Sequence, residues 1–192
     1  VILTNAHVAQ YFLLRDYVVT NNVDCRIRVG NPATNTYRAE LLYLPPAWIN
    51  ANASQIVAQT GMGTGENDYA FLRITSPIDV SKPLPKTFPA LTMTTDSPTR
   101  TEPVLLAGYP AGFLSGITIE MSLYISTALT QIKDVFTFND RGEADVVSLG
   151  GSIVAQAGSS GGAVVRQQDG ALQGLIATQT EAPDSKSTDT RD

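Results

Sequence analysis

Apolar residues in this chain come almost everywhere in short runs, each closed by glycine, proline or asparagine. Asp24-Cys25-Arg26-Ile27-Arg28-Val29 alternates at period two, which predicts a half-buried strand with Cys25 as a small apolar member, and Gly30-Asn31-Pro32 supplies the turn that ends it. Residues 37–44 predict a second strand stopped by Pro45-Pro46, and residues 69–75 a third. Further runs follow at 104–108, at 117–129 as a long alternating stretch, and at 134–138, 144–149, 162–167 and 171–178. The last two flank Asp169-Gly170, a two-residue hairpin signal. Many short strands with turn chemistry between them predict an all-β barrel or sandwich. Two segments differ: residues 5–14 predict one or two helical turns, and residues 47–59 carry Ile49, Ala53, Ile56 and Val57 at helical spacing.

Proline divides the chain. Pro77, Pro83, Pro85, Pro89 and Pro98 fall between residues 76 and 100, with Pro103 just beyond. Central strands reject proline because it cannot donate to the ladder. This stretch therefore predicts a surface crossing between two halves, residues 1–98 and 99–180. Residues 181–192 are polar, carry proline and show no apolar period, which predicts a linker or frayed tail.

The chemistry points to Gly158-Ser159-Ser160-Gly161-Gly162. On its own such a stretch is an ordinary flexible loop. It turns straight into an apolar strand, however, which puts Ser160 on a tight turn. If the N–H groups of Gly158 and Ser160 converge, they stabilise an oxyanion beside the Ser160 hydroxyl. A serine needs a base, and the base an orienting group. The single histidine, His7, sits where an apolar strand ends in a polar turn, and Glu66 and Asp68 stand at the mouth of another strand. A lone histidine is usually a surface or core residue, and an Asp there commonly caps a turn. Gly61, Gly63 and Gly65 have the spacing of a phosphate loop, but a strand rather than a helix follows, so they predict a flexible loop delivering Asp68.

Taken in order, Thr4-Asn5-Ala6-His7-Val8, Asn67-Asp68-Tyr69-Ala70-Phe71-Leu72, Gly108-Tyr109-Pro110 and Gly158-Ser159-Ser160-Gly161-Gly162-Ala163 resemble the trypsin-like, chymotrypsin-fold serine peptidases. They resemble most the bacterial, disulfide-free HtrA/Deg-type branch. His7 and Asp68 are 61 residues apart, Asp68 and Ser160 92 apart, and the resemblance runs from His7 to about Thr178. It implies two antiparallel β-barrels with the active site in the cleft between them, His7 and Asp68 on the first and Ser160 on the second. It also implies Ser160 as nucleophile, His7 as base, Asp68 rather than Glu66 as orienting acid, and an oxyanion hole from the amides of Gly158 and Ser160. The substrate wall falls on Val154 and Ala155, the pocket floor, and on Thr178, Gln179 and Thr180, which replace the family's Ser-Trp-Gly. Thr180 narrows the pocket, and the apolar floor favours small or medium apolar residues before the cut. Ser159 stands where vertebrate members carry the Asp that receives a new N-terminus, so activation by an inserted terminus is not expected.

The net charge of −5 and the absence of a basic stripe argue against nucleic acid or an anionic membrane as partner, and the resemblance implies a polypeptide substrate. One histidine and one cysteine make no zinc cluster and no internal disulfide, so neither metal nor cofactor is expected. The chain begins at Val1, six residues before His7, which leads us to expect a first barrel without its leading strands and a fragment that is poorly soluble or inactive alone. By resemblance alone the compartment is the bacterial envelope, periplasm or exterior. Two rival readings stand beside the peptidase: a catalytically silent binding module on the same fold, and the protease domain of a multidomain HtrA-like quality-control protein.

Overall fold

A computed structural model describes residues 1–16, 26–53, 65–112, 114–138, 142–152, 154–156 and 158–177. The first half comprises β1 (Ile2–Thr4), helix α1 (Ala6–Ala9) running into a 3₁₀ segment (Gln10–Asp16), β2 (Arg26–Val29), β3 (Thr34–Tyr43), helix α2 (Pro46–Asn52) and β4 (Ala70–Pro77). The four strands form one antiparallel sheet in the order β1-β4-β3-β2. Register slips at Arg38/Ala39 and Leu41/Tyr43 bend the β3–β4 pair. In β4 the pleat sends Ala70 and Leu72 into a core with Ala6, Ala9, Leu44 and Trp48. Trp48 is the buried anchor of α2, a helix that starts on Pro46 in its first turn, where a missing N–H costs nothing.

The second half comprises β5 (Pro103–Gly108), helix α3 (Gly116–Ser122), β6 (Ser126–Phe136), β7 (Val146–Leu149), β8 (Ala163–Arg166) and β9 (Leu172–Leu175). They make an antiparallel sheet in the order β7-β6-β5-β8-β9. Val104 and Leu106 of β5 point inward to Ile132, Val154, Val164 and Ile176. Pro103 is tolerated because it is the first residue of its strand. These two curled antiparallel half-barrels are the chymotrypsin-type, all-β, two-barrel fold expected from the resemblance. Among the described residues no helix is long and apolar enough to cross a membrane.

The halves touch through the β2–β3 hairpin tip. Tyr109 Oη donates to Gly30 O at 2.9 Å, Ala33 N to Leu123 O at 2.7 Å and Ile125 N to Asn31 Oδ1 at 3.2 Å. The Arg28 guanidinium donates to Ile119 O (2.6 Å) and Glu120 O (2.7 Å), carbonyls near the end of α3 that the helix itself leaves unsatisfied.

Four expectations need correction. Residues 117–122 are helix α3 rather than the start of a strand. Ser115 decides this, accepting from Thr118 N at 3.3 Å as N-cap while its carbonyl takes Ile119 N at 2.9 Å. The alternating apolar residues had no sheet face to enter: Ile117 is 74% and Met121 72% exposed. Residues 134–136 are the end of β6 and not a separate strand: β6 runs through the polar stretch, its register on β7 slipping between Ile132 and Asp134 so that Val135 joins Ile132 in the core. The β8–β9 loop is longer than two residues. It closes between Arg166 and Ala171 because the Asp169 carboxylate binds both Arg166 and the Ala171 amide, and Gly170 takes φ +74°. The crossing begins after Pro77, and at its far end it adds to β9: Met93 bridges Leu172 in parallel, with Leu172 N donating to Thr92 O at 2.8 Å and Thr94 N to Leu172 O at 3.1 Å. That contact covers the outer edge of β9. Cys25, Gly61, Gly63, residues 54–59 of the expected helix, residues 139–141 between two of the expected strands, and the tail lie outside the described residues.

Candidate active site

The site begins where β1 runs into α1. The first N–H groups of a helix have no partner within it, and an Asn at the N-cap ordinarily takes one. Asn5 occupies that position but makes no side-chain cap. The acid just before β4 takes that place instead: Asp68 Oδ1 accepts from the His7 backbone N–H at 2.9 Å, and Asp68 Oδ2 lies 2.7 Å from His7 Nδ1. One carboxylate thus closes the helix end and orients the ring. Asp68 is 10% exposed and His7 37%, so the acid is shielded while the imidazole stays accessible.

Local backbone geometry aims Asp68. Gly65 (φ +82°) opens a turn closed by Asp68 N to Gly65 O at 3.3 Å, and Asn67 takes φ +57°. Left-handed backbone is uncommon outside glycine, and Asn is among the residues that tolerate it best. Tyr69 N then donates to Asn67 O at 2.8 Å, and β4 starts at Ala70. Tyr69 packs in a triangle with Tyr43 and Phe71, ring centroids 6.0–6.2 Å apart, which fastens this strand end to β3. Desolvation in that cluster, with Tyr43 alongside, raises the Tyr69 phenol above its ordinary range.

The serine lies on a pair of linked turns. Ser159 N donates to Gln156 O at 3.0 Å, with Gly158 at φ +88° in the third position. Gly162 N donates to Ser159 O at 2.9 Å, with Gly161 at φ +84° in the third position, which makes Ser160 the second residue of a type II turn. Both glycines are also fixed by space. A Cβ on Gly158 would lie 2.7 Å from Ala111 Cβ, and one on Gly161 would collide with Thr4 Oγ1. Gly161 N to Ile176 O (2.9 Å) and Ile176 N to Gly162 O (2.8 Å) tie the turn to the segment following β9. Thr4 stands three residues before His7. The packing of Gly161 on Thr4 therefore brings the serine turn against the strand that leads into the histidine's helix.

A family model of the trypsin-like peptidase domain matches residues 1–175. The chain belongs to that family. Among curated proteins, no match to the chain was found.

Within this trypsin-like peptidase domain the expected wall residues divide. Val154 is fully enclosed among Val104, Leu106, Ile132, Val164 and Ile176, and in this conformation presents no surface to a substrate. Ala155 beside it is exposed. Thr178, Gln179 and Thr180 lie outside the described residues. Two participants had not been picked out from the sequence. Asn5 donates through Nδ2 to Asp68 O at 3.0 Å, and Thr4 meets Gly161. Asn5 stood in the sequence as a member of the Thr4-Asn5-Ala6-His7-Val8 motif with no role of its own, and its place before a helical turn reads as a local cap.

Proposed function

We propose that the chain is a serine endopeptidase working through Ser160, His7 and Asp68. The observation that carries the reading is the two-point grip of Asp68 on His7, 2.7 Å at Nδ1 and 2.9 Å at the backbone N–H. In this reading Nε2, the ring nitrogen that the carboxylate does not engage, is the one that serves Ser160. Ser160 Oγ attacks the scissile carbonyl carbon as its proton passes to His7 Nε2, and Asp68 stabilises the imidazolium. The C–N bond breaks as that proton goes to the leaving amine, leaving an acyl-Ser160 ester. Water, deprotonated by His7, then releases the acid. Such a positioned base contributes about 10²–10⁴-fold. The amides of Gly158 and Ser160 serve the oxyanion, each donor worth about 3 kcal/mol.

Two halves dividing near residue 98 would face each other across this site. The apolar character of Ala155, the exposed member of the expected floor, supports cleavage after small or medium apolar residues. Thr4-Asn5-Ala6-His7-Val8 and the single cysteine support kinship with the HtrA/Deg type.

Stopped-flow hydrolysis of an activated ester tests the reading. The wild type should show a burst equal to the enzyme concentration, followed by slower turnover. Ser160→Ala should show neither phase. A burst that survives Ser160→Ala would refute it.

A further inference from the structure

Resting on the peptidase reading, we propose that Asn5 is a positioning residue: it fixes the main chain of Asp68 and thereby the carboxylate that orients His7. Asn5 is 2% exposed, among the most enclosed polar side chains described. Its Nδ2 donates to Asp68 O at 3.0 Å, while its Oδ1 has no partner among the described residues. A buried amide with one end unsatisfied works against folding, and an apolar side chain of equal size would not. Nor does Asn5 offset this by capping α1, since Asp68 Oδ1 already takes the His7 N–H. Among the described residues, the one side-chain hydrogen bond of Asn5 is to the main chain of Asp68.

The geometry explains why that bond matters. Segment 5–7 holds Asp68 by its carbonyl oxygen through Asn5, by Oδ1 through the His7 amide and by Oδ2 through the His7 ring. Fixing the carbonyl and both carboxylate oxygens leaves the side chain no free rotation about Cα–Cβ. The carbonyl needs an anchor because Asp68 follows Asn67 in left-handed backbone (φ 57°) and precedes the Tyr69–Asn67 bond, a tight reversal with no ladder partner on either side. With the amide gone, this reversal can pivot and the carboxylate can drift from Nδ1.

The test compares Asn5→Leu, nearly isosteric and without a donor, with the wild type in steady-state hydrolysis of a chromogenic peptide ester. We expect kcat to fall about 10–100-fold, as a displaced catalytic geometry does, with KM within about twofold because substrate contacts are untouched. In an Asp68→Asn background the same substitution should cost nothing further, since the orientation it protects is already lost. The downfield proton resonance of His7 Nδ1–H should broaden in Asn5→Leu while the thermal midpoint holds. Should that variant not fold, Asn5→Ala carries the same comparison. In the wild type itself, one Asn5 Nδ2 proton should exchange slowly with solvent. Unchanged kcat in a folded variant, an equal loss in the Asp68→Asn background, or fast exchange of both amide protons would overturn the proposal. If Ser160→Ala hydrolyses as fast as the wild type, the peptidase reading fails as well. If Ser160→Ala is inactive and Asn5→Leu unimpaired, this inference alone fails.

Discussion

The histidine end and the serine end of the site are held in different ways. At the histidine end the grip is made by side chains: Asp68 on His7 and Asn5 on Asp68, across 61 and 63 residues of sequence. At the serine end it is made by main chain and by empty space, with two left-handed glycines packed against Ala111 and Thr4. The first end should respond to changes in hydrogen-bonding chemistry at constant volume. The second should respond to added volume at constant chemistry.

Asp68→Asn probes that contrast most severely. It keeps the shape but presents an amide to His7 Nδ1, favouring the wrong tautomer, and kcat should fall about 10⁴-fold with little change in thermal midpoint. A loss under tenfold would mean that the side-chain grip is dispensable. Gly158→Ala is the counterpart at the serine end. One methyl must overlap Ala111 in left-handed backbone, so we expect a 10²–10³-fold loss of kcat together with about 1–2 kcal/mol of stability, read from peptide hydrolysis and urea unfolding. Wild-type behaviour would show that the Ala111 contact yields easily.

Asn67 tests whether the histidine end also depends on backbone shape. Asn67→Val forces a β-branched residue to φ 57° and should destabilise by about 1–3 kcal/mol. Asn67→Gly, which enters that region freely, should stay within about 0.5 kcal/mol of the wild type. Equal effects in denaturant melts would remove the backbone from the account of that end.

The smallest effect lies at the β8–β9 loop, remote from the acid-base pair. The Arg166 guanidinium holds the Asp169 carboxyl down to about 2, and the Ala171 amide adds to this. A carboxyl whose folded pKa is depressed stabilises the fold above its ordinary value near 3.8 and loses that contribution as pH falls towards about 2. Asp169→Asn should therefore melt slightly below the wild type at neutral pH, with the two curves meeting as pH drops through that window. A gap that persists at pH 2 would assign the effect to the loop hydrogen bond rather than to charge.

The same contrast explains what could be read from sequence. The all-β class and the family were legible because strands and family motifs are local patterns: Val104 and Leu106 alternate, and Gly158 to Gly162 cannot be core. Helix α3 was misread because Ile117, Ile119 and Met121 mimic a strand period, and the Ser115 cap that overrides it is a single side chain. The role of Asn5 was invisible for the opposite reason. Its position is that of a local cap, while its partner is a carbonyl on β4's approach, which topology alone delivers. The packing of Thr4 on Gly161 was hidden in the same way, since neither residue type announces a contact between two halves of a chain.

Labelling with a fluorophosphonate, followed by intact-mass measurement and peptide mapping, tests the central claim most directly. The account predicts one adduct per chain, on Ser160, formed much more slowly in His7→Ala and absent in Ser160→Ala. An adduct on another residue, or equal labelling of the Ser160→Ala protein, would contradict it.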